Sequence, residues 1–239
     1  MSTTQISLVR EHTVKIKPPR ALWVPFELGR PLGVPGDAAF QTRVVRTALN
    51  LLEASSGPVL VDYHEDVPED TEAPAALVCP INFATPEVEM NATEKLRALL
   101  YQEIAMFRSW YDLAVLTRGR TTVGVSGLIP EEVGDFIGGF LEDTMPSAPR
   151  PNVPLAELFK FAVEDLKAYY CEAMTAQPGQ TTVSSTALAD WFWRETTAGR
   201  VLFAVQQTCL TSDRPELRQI AERALIPRAR AAESPYQNA

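Results

Sequence analysis

Six side chains hold the chemistry this sequence can offer: Glu27, Arg30, Asp62, His64, Glu65 and Cys79. Glu27 and Arg30 follow an apolar run, Ala21–Phe26, and the trio Asp62, His64 and Glu65 follows another, Val59–Val61. Ligands of open α/β sheets bind just outside the C-terminal ends of the strands. If the two runs are neighbouring parallel strands, the five groups share one rim. Glu27, Arg30, Asp62 and Glu65 would then bind substrate and His64 would act as a general base or a ligand. Cys79 ends a third apolar run, Ala75–Cys79, ahead of Pro80. A thiol there is a nucleophile when a cation or a helix terminus stabilises its thiolate. Each reading has a plainer rival: a solvated acidic loop carrying an exposed histidine for residues 62–74, and a small packed hydrophobe for Cys79.

Other groups offer less. Gly29, Gly33 and Gly36 precede a helix, where backbone N–H groups can hold a phosphate. Their spacing is neither G-x-G-x-x-G nor a P-loop, and Asp37 would repel an anion, so turn chemistry is the simpler account. Glu103, Glu164, Asp165, Glu172 and Glu195 lie in helical patterns, but a di-iron bundle needs Glu-x-x-His pairs, and His12 and His64 stand in none. Trp191, Phe192 and Trp193, with Tyr169 and Tyr170, read as core or interface packing, with a stacking pocket as the alternative. Cys171 and Cys209 sit inside helical patterns and read as core.

The elements that must position these groups follow from periodicity and punctuation. Asp37 is a good N-cap for a helix over Ala38–Ala54, with Phe40, Val44, Leu51 and Leu52, and Ala48 between them, at helical spacing. Ser55–Pro58 ends it, and Val59–Val61 has the continuous apolar character of a buried parallel strand. Strand, helix and strand make a βαβ unit. Upstream, Ile6–Val9 is a short apolar stretch, and Pro18–Pro19 blocks helix continuation. Thr93–Leu116 has strong helical periodicity, Thr121–Val125 reads as a strand or an extended connection, and Pro130 suits a helix's first turn. The Pro-rich Met145–Pro154 reads as a linker. Helices are expected over Leu155–Ala176, Ser185–Cys209 and Arg214–Leu225, followed by a frayed tail from Arg228. The fold class is therefore α/β: a short parallel-sheet βαβ N-terminal part and a mostly helical C-terminal half. The expected domains are 1–144 (α/β) and 155–232 (helical), joined by 145–154.

Composition narrows the function classes. The 239 residues carry a formal net charge of −8, which argues against nucleic acid, whose partners cluster Lys and Arg. No apolar run reaches the ~20 residues of a membrane helix. The first residues lack a signal-peptide layout, so the cytoplasm is the expected compartment. Three widely spaced cysteines form neither a disulfide framework nor a CxxC metal signature, and no metal site is expected. No motif names a cofactor.

Residues 6–53 resemble a known family. An apolar strand in ISLVREHT, a second in PRALWVPF, the proline- and glycine-bearing loop LGRPLGVPGD and the helix FQTRVVRTALNLLE resemble the C-terminal segment of the glycine/sarcosine/betaine/D-proline reductase selenoprotein B family. In that family the segment closes an α/β domain, and the redox cysteine or selenocysteine lies upstream of it. This chain has no cysteine before Cys79. The resemblance therefore implies a component of a two-subunit reductase-like enzyme acting on a small molecule. The partner, a second α/β chain, would carry the redox residue, and this chain would complete its fold and pocket. A βαβ unit alone buries too little apolar surface to offset its ordering entropy, which gives the same expectation a physical reason. Two other readings stand beside it: a stand-alone enzyme using Cys79 or His64, and a non-catalytic binding or scaffold protein.

Overall fold

The computed structural model describes residues 2–65, 91–142, 144–178 and 183–236. The chain divides into two compact units, residues 1–71 and 72–239.

The first unit is a three-stranded parallel sheet in the order β1–β2–β3, from β1 (Gln5–Ser7), β2 (Arg20–Trp23) and β3 (Val59–Asp62). The register places Ser7 beside Trp23 and Trp23 beside Asp62, so all three strands end together. Helix α1 (Arg10–Ile16) links β1 to β2, and α2 (Ala38–Asn50) links β2 to β3. Asp37 caps α2, its side chain accepting the Phe40 N–H at 2.9 Å. The i, i+4, i+8 series Phe40, Val44 and Ala48 is buried against Leu22 and Val24, which point to one face of the pleat. Helix α1 meets the alternate row: Thr13 Oγ1 lies 2.5 Å from Ser7 Oγ, and Arg10 reaches Asp62. The α1 helix is too short to show an apolar period, and a left-handed Lys17 ends it ahead of Pro18.

The second unit is helical: α3 (Ala92–Arg118), α4 (Pro130–Gly139), α5 (Leu155–Met174), α6 (Ser185–Glu195), α7 (Thr197–Leu210) and α8 (Pro215–Arg223). Asn91 and Glu94 form a reciprocal capping box that starts α3. Leu100, Ile104 and Phe107 of α3 share one core with Val133 and Ile137 of α4, Phe159 and Leu166 of α5, Trp191 of α6, Leu202 of α7 and Leu217 of α8. At about 1.5–3 kcal/mol for each large apolar side chain removed from water, this face-to-face burial is the main force holding the helices together. Because α3 and α4 bury their apolar stripes against α5, they belong with it in one unit. Met145–Pro154 lies inside that unit, tied to it by Arg150, whose guanidinium donates to the Ser126 carbonyl at 2.7 Å.

Two local expectations differ from what is seen, and a third, left open between a strand and an extended connection, resolves to the connection. Thr121–Val125 is an irregular connection, because the N–H groups of Thr122, Gly124 and Val125 bond to side chains of α5 and form no ladder. The single helix expected over Ser185–Cys209 is two. Thr196 turns extended between them, accepts the Gly199 N–H through its hydroxyl and donates to the Phe192 carbonyl. A Cβ at Gly199 would stand 2.4 Å from that carbonyl, so only glycine allows the two helices to meet this closely. The frayed tail is instead a 3-10 turn over Arg228–Glu233, held where Arg230 pairs with Asp190 at 2.5 Å and Arg194 with Glu233 at 2.8 Å.

Candidate functional site

The parallel register of β2 and β3 sets Phe26 and Tyr63, each three or fewer residues past a strand, on the same end of the sheet. Phe40, in the first turn of α2, completes a three-ring cluster. Ring centroids are 5.5 Å apart for Phe26 and Phe40, 5.9 Å for Phe26 and Tyr63, and 6.3 Å for Phe40 and Tyr63. The tilted and edge-on geometries are those aromatic quadrupoles favour. This cluster brings the segment after β2 against the segment after β3, so Glu27 and the residues around Tyr63 flank one rim.

Between Phe26 and α2 the chain runs through two successive turns, with Arg30 N–H donating to Glu27 O and Gly33 N–H to Arg30 O. Gly33 has φ +82°, and a Cβ there would lie 2.5 Å from the Phe40 ring. Phe40 is wedged between Phe26 and Tyr63 and cannot give way cheaply. Gly33→Ala is therefore expected to destabilise the first unit by about 2 kcal/mol, combining backbone strain with overpacking. Gly29, at φ +90° with open space around its Cβ position, should lose only the backbone component, about 1 kcal/mol. Amide exchange of β2 and α2 in the two variants checks the difference.

Every carboxylate predicted for the rim is already paired. Arg10 Nε donates to both oxygens of Asp62 at 3.1 Å. Arg43 donates to Glu65 at 3.0 Å while its guanidinium carbon stands 5.3 Å from the centre of the Phe40 ring. Arg30 faces Glu27 at 3.6 Å. His64 is exposed. Such exposed pairs add little to stability, because water and salt screen them, yet they fix where the rim's charges stand. The Tyr63 hydroxyl is buried and makes no hydrogen bond of regular geometry among the described residues. Burial first, and then the neighbouring Glu65 carboxylate, raise its pKa above the ordinary tyrosine value.

Arg10, Arg43 and Tyr63 are rim residues that sequence reasoning missed. A signal existed for Arg43: the first turns of a βαβ helix share an end of the sheet with the residues that follow the strands. Arg10 opens α1, a helix too short to be read from periodicity, so the same signal is lost for it, and its ion pair spans 52 residues of sequence. Cys79 lies outside the described residues.

The helical unit's functional candidates are structural. Burial pushes the Cys171 thiol up to about 11 and the Cys209 thiol up to about 12, so neither supplies a thiolate at neutral pH. Tyr169, Tyr170, Trp191, Phe192 and Trp193 are all buried and mutually packed. Their place is the core, which corrects the stacking-pocket alternative. Glu164 pairs with Lys167 at 2.8 Å. Glu172 accepts from Thr121 Oγ1 and from both the N–H and Oγ1 of Thr122, and these bonds outweigh desolvation to hold its carboxyl below the ordinary range. Among the described residues no group of three or more His, Cys, Asp or Glu side chains could hold a metal ion. No helix among them is long and apolar enough to cross a membrane.

No protein-family model matches the chain, and comparison with the curated proteins and the solved structures gives no match.

Proposed function

We propose that this chain is the non-redox component of a two-subunit, reductase-like enzyme related to the selenoprotein B reductases. Its first unit adds to the α/β fold of a partner chain that carries the redox residue, and it shapes that partner's small-molecule pocket in the cytoplasm. The observation that carries this reading is the sheet itself. It has three parallel strands, and among the described residues only β2 is paired on both sides. Parallel sheets of this size are marginal alone, and an unpaired edge is a template for another chain's strand. Two further observations agree. The rim's carboxylates are bound to arginines, which suits a wall of a pocket more than a proton-transfer centre. Of the two described thiols Cys209 is buried and Cys171 half-buried, and both are protonated at neutral pH, so redox work falls to another group.

Purification of the full chain from its own host, followed by native mass determination, tests the proposal. The expected species holds a second α/β chain in a fixed ratio, and reductase activity appears only in that complex. A catalytically active species containing this chain alone, whose turnover vanishes in Cys79→Ser or His64→Ala, would establish the stand-alone enzyme. An inactive chain with no second subunit would leave a scaffold.

A further inference from the structure

Helix α3 buries one face and leaves another bare. Tyr101, Ala105, Ser109, Leu113 and Leu116 follow one another at steps of four, four, four and three residues, and all are exposed. Tyr101 is 47% exposed, Leu113 36% and Leu116 80%. Steps of three and four keep these residues on one side of the helix. The stripe with the half-buried Ala98 spans about 27 Å of helix at 1.5 Å per residue.

Three features of the stripe fit a copy of itself run in the opposite direction. The small pair Ala105 and Ser109 lies at its centre, where two helices crossing closely need small side chains. Reflection about that centre sets Tyr101 against Leu113, and Leu116, the largest exposed projection, against Ala98. The same reflection sets Glu94, at the start of α3, against Arg120, just past its end. Among the described residues Arg120 and Lys95 enter no ion pair, whereas seven other arginines do. Lys95 would in turn stand at the second copy's helix C-terminus, the negative end of its dipole. A parallel pairing would stack Lys95 on Lys95 and Arg120 on Arg120. A general apolar partner would have no need of this mirrored charge order.

We propose that the outward face of α3 is a homodimer interface, in which two copies of this chain pair antiparallel along Tyr101, Ala105, Ser109, Leu113 and Leu116. The interface is isologous, each patch being its own complement. It is independent of the sheet edges invoked above, so a heterodimer formed through the first unit could pair again through the second.

Sedimentation equilibrium of the full chain at micromolar concentration is the test. The wild-type chain should sediment as a dimer. Ser109→Arg, at an exposed position, should leave helical circular dichroism unchanged while raising the dissociation constant at least 100-fold, and its melting transition should no longer depend on protein concentration. Arg120→Glu should weaken the dimer several-fold at low salt and less at high salt, because rim charges are screened. Ala105→Arg, also exposed, repeats the first measurement should Ser109→Arg disturb the helix. A monomeric wild-type chain overturns the proposal, and so does a dimer that survives both arginine variants.

Discussion

Replacing Asp165 by Ala is expected to destabilise the helical unit by about 3–5 kcal/mol, the cost typical of breaking a buried charged network. Asp165 is 1% exposed and stands on the face of α5 turned toward the connection between α3 and α4. Its carboxylate accepts the N–H groups of Gly124 at 2.9 Å, Val125 at 3.1 Å and Ser126 at 2.9 Å, and the Ser126 hydroxyl at 2.5 Å. That connection has no ladder or helix to satisfy its backbone, so one side chain supplies what secondary structure would. Alanine removes all four bonds. Gly124 and Val125 can turn to water, but Ser126 is fully buried and its two donors are stranded. The damage should spread, because Ser126 Oγ also accepts the Leu128 N–H and the Ser126 carbonyl holds Arg150. Asp165→Asn keeps the shape and one acceptor oxygen but turns an amino group toward the donors, so about 2–3 kcal/mol is expected there. Urea denaturation gives the size of the effect, and amide exchange of residues 119–129 gives its place. A loss under 1 kcal/mol for the alanine variant would mean that the connection is held by its packing, with the carboxylate incidental.

The contrast between Asp165 and the rim of the sheet shows which parts of this molecule are legible in sequence. Helix α2 is readable because its cap and its apolar period are both local: Asp37 precedes Phe40, Val44 and Ala48 at regular spacing. The ends of β2 and β3 could be assigned to one rim on the single condition that the strands run parallel, and they do. Asp165 could be placed on a helix, yet nothing near it in sequence reveals that it is buried or that its partners lie about 40 residues upstream. Arg10 is hidden for the same reason. An ion pair between residues 10 and 62 is a property of register, and register needs the fold. The break at Thr196 shows a different limit. No proline stands near it, and apolar residues recur on both sides, so periodicity runs through it. Only a threonine able to cap a following helix, with a glycine three residues on, marks the turn. Helix α1 and the turn at Arg228–Glu233 are too short for any period to emerge.

Glu103 carries the second large effect, with a pH signature of its own. It projects from α3 and is 1% exposed. One oxygen accepts the Thr197 N–H at 3.0 Å; the other accepts the Ala198 N–H at 3.1 Å and the Tyr170 hydroxyl at 2.8 Å. It thereby caps the N-terminus of α7, where free N–H groups and the helix dipole favour a negative charge. Glu103→Ala strands those three donors in the core and should cost about 3–4 kcal/mol. The carboxyl's pKa is nonetheless raised from its ordinary value of 4.5, because burial outweighs the bonds from Thr197, Tyr170 and Ala198. A raised value in the folded state means that the folded chain holds this proton more tightly than the unfolded chain does. The proton's contribution is complete below the ordinary glutamate range and is lost as pH rises through the folded value. Glutamine at this position has no proton to lose. The stability of the wild type relative to Glu103→Gln should therefore fall as pH is raised from about 4 toward neutrality, against the opposite trend from Glu172, whose lowered value stabilises the fold as pH rises. Denaturation of both proteins at matched pH values isolates Glu103, since Glu172 is common to them and cancels. A difference that grows with pH would reverse the assignment: the three hydrogen bonds would then outweigh desolvation, and the core would hold a fully ionised carboxylate as a permanent cap of α7.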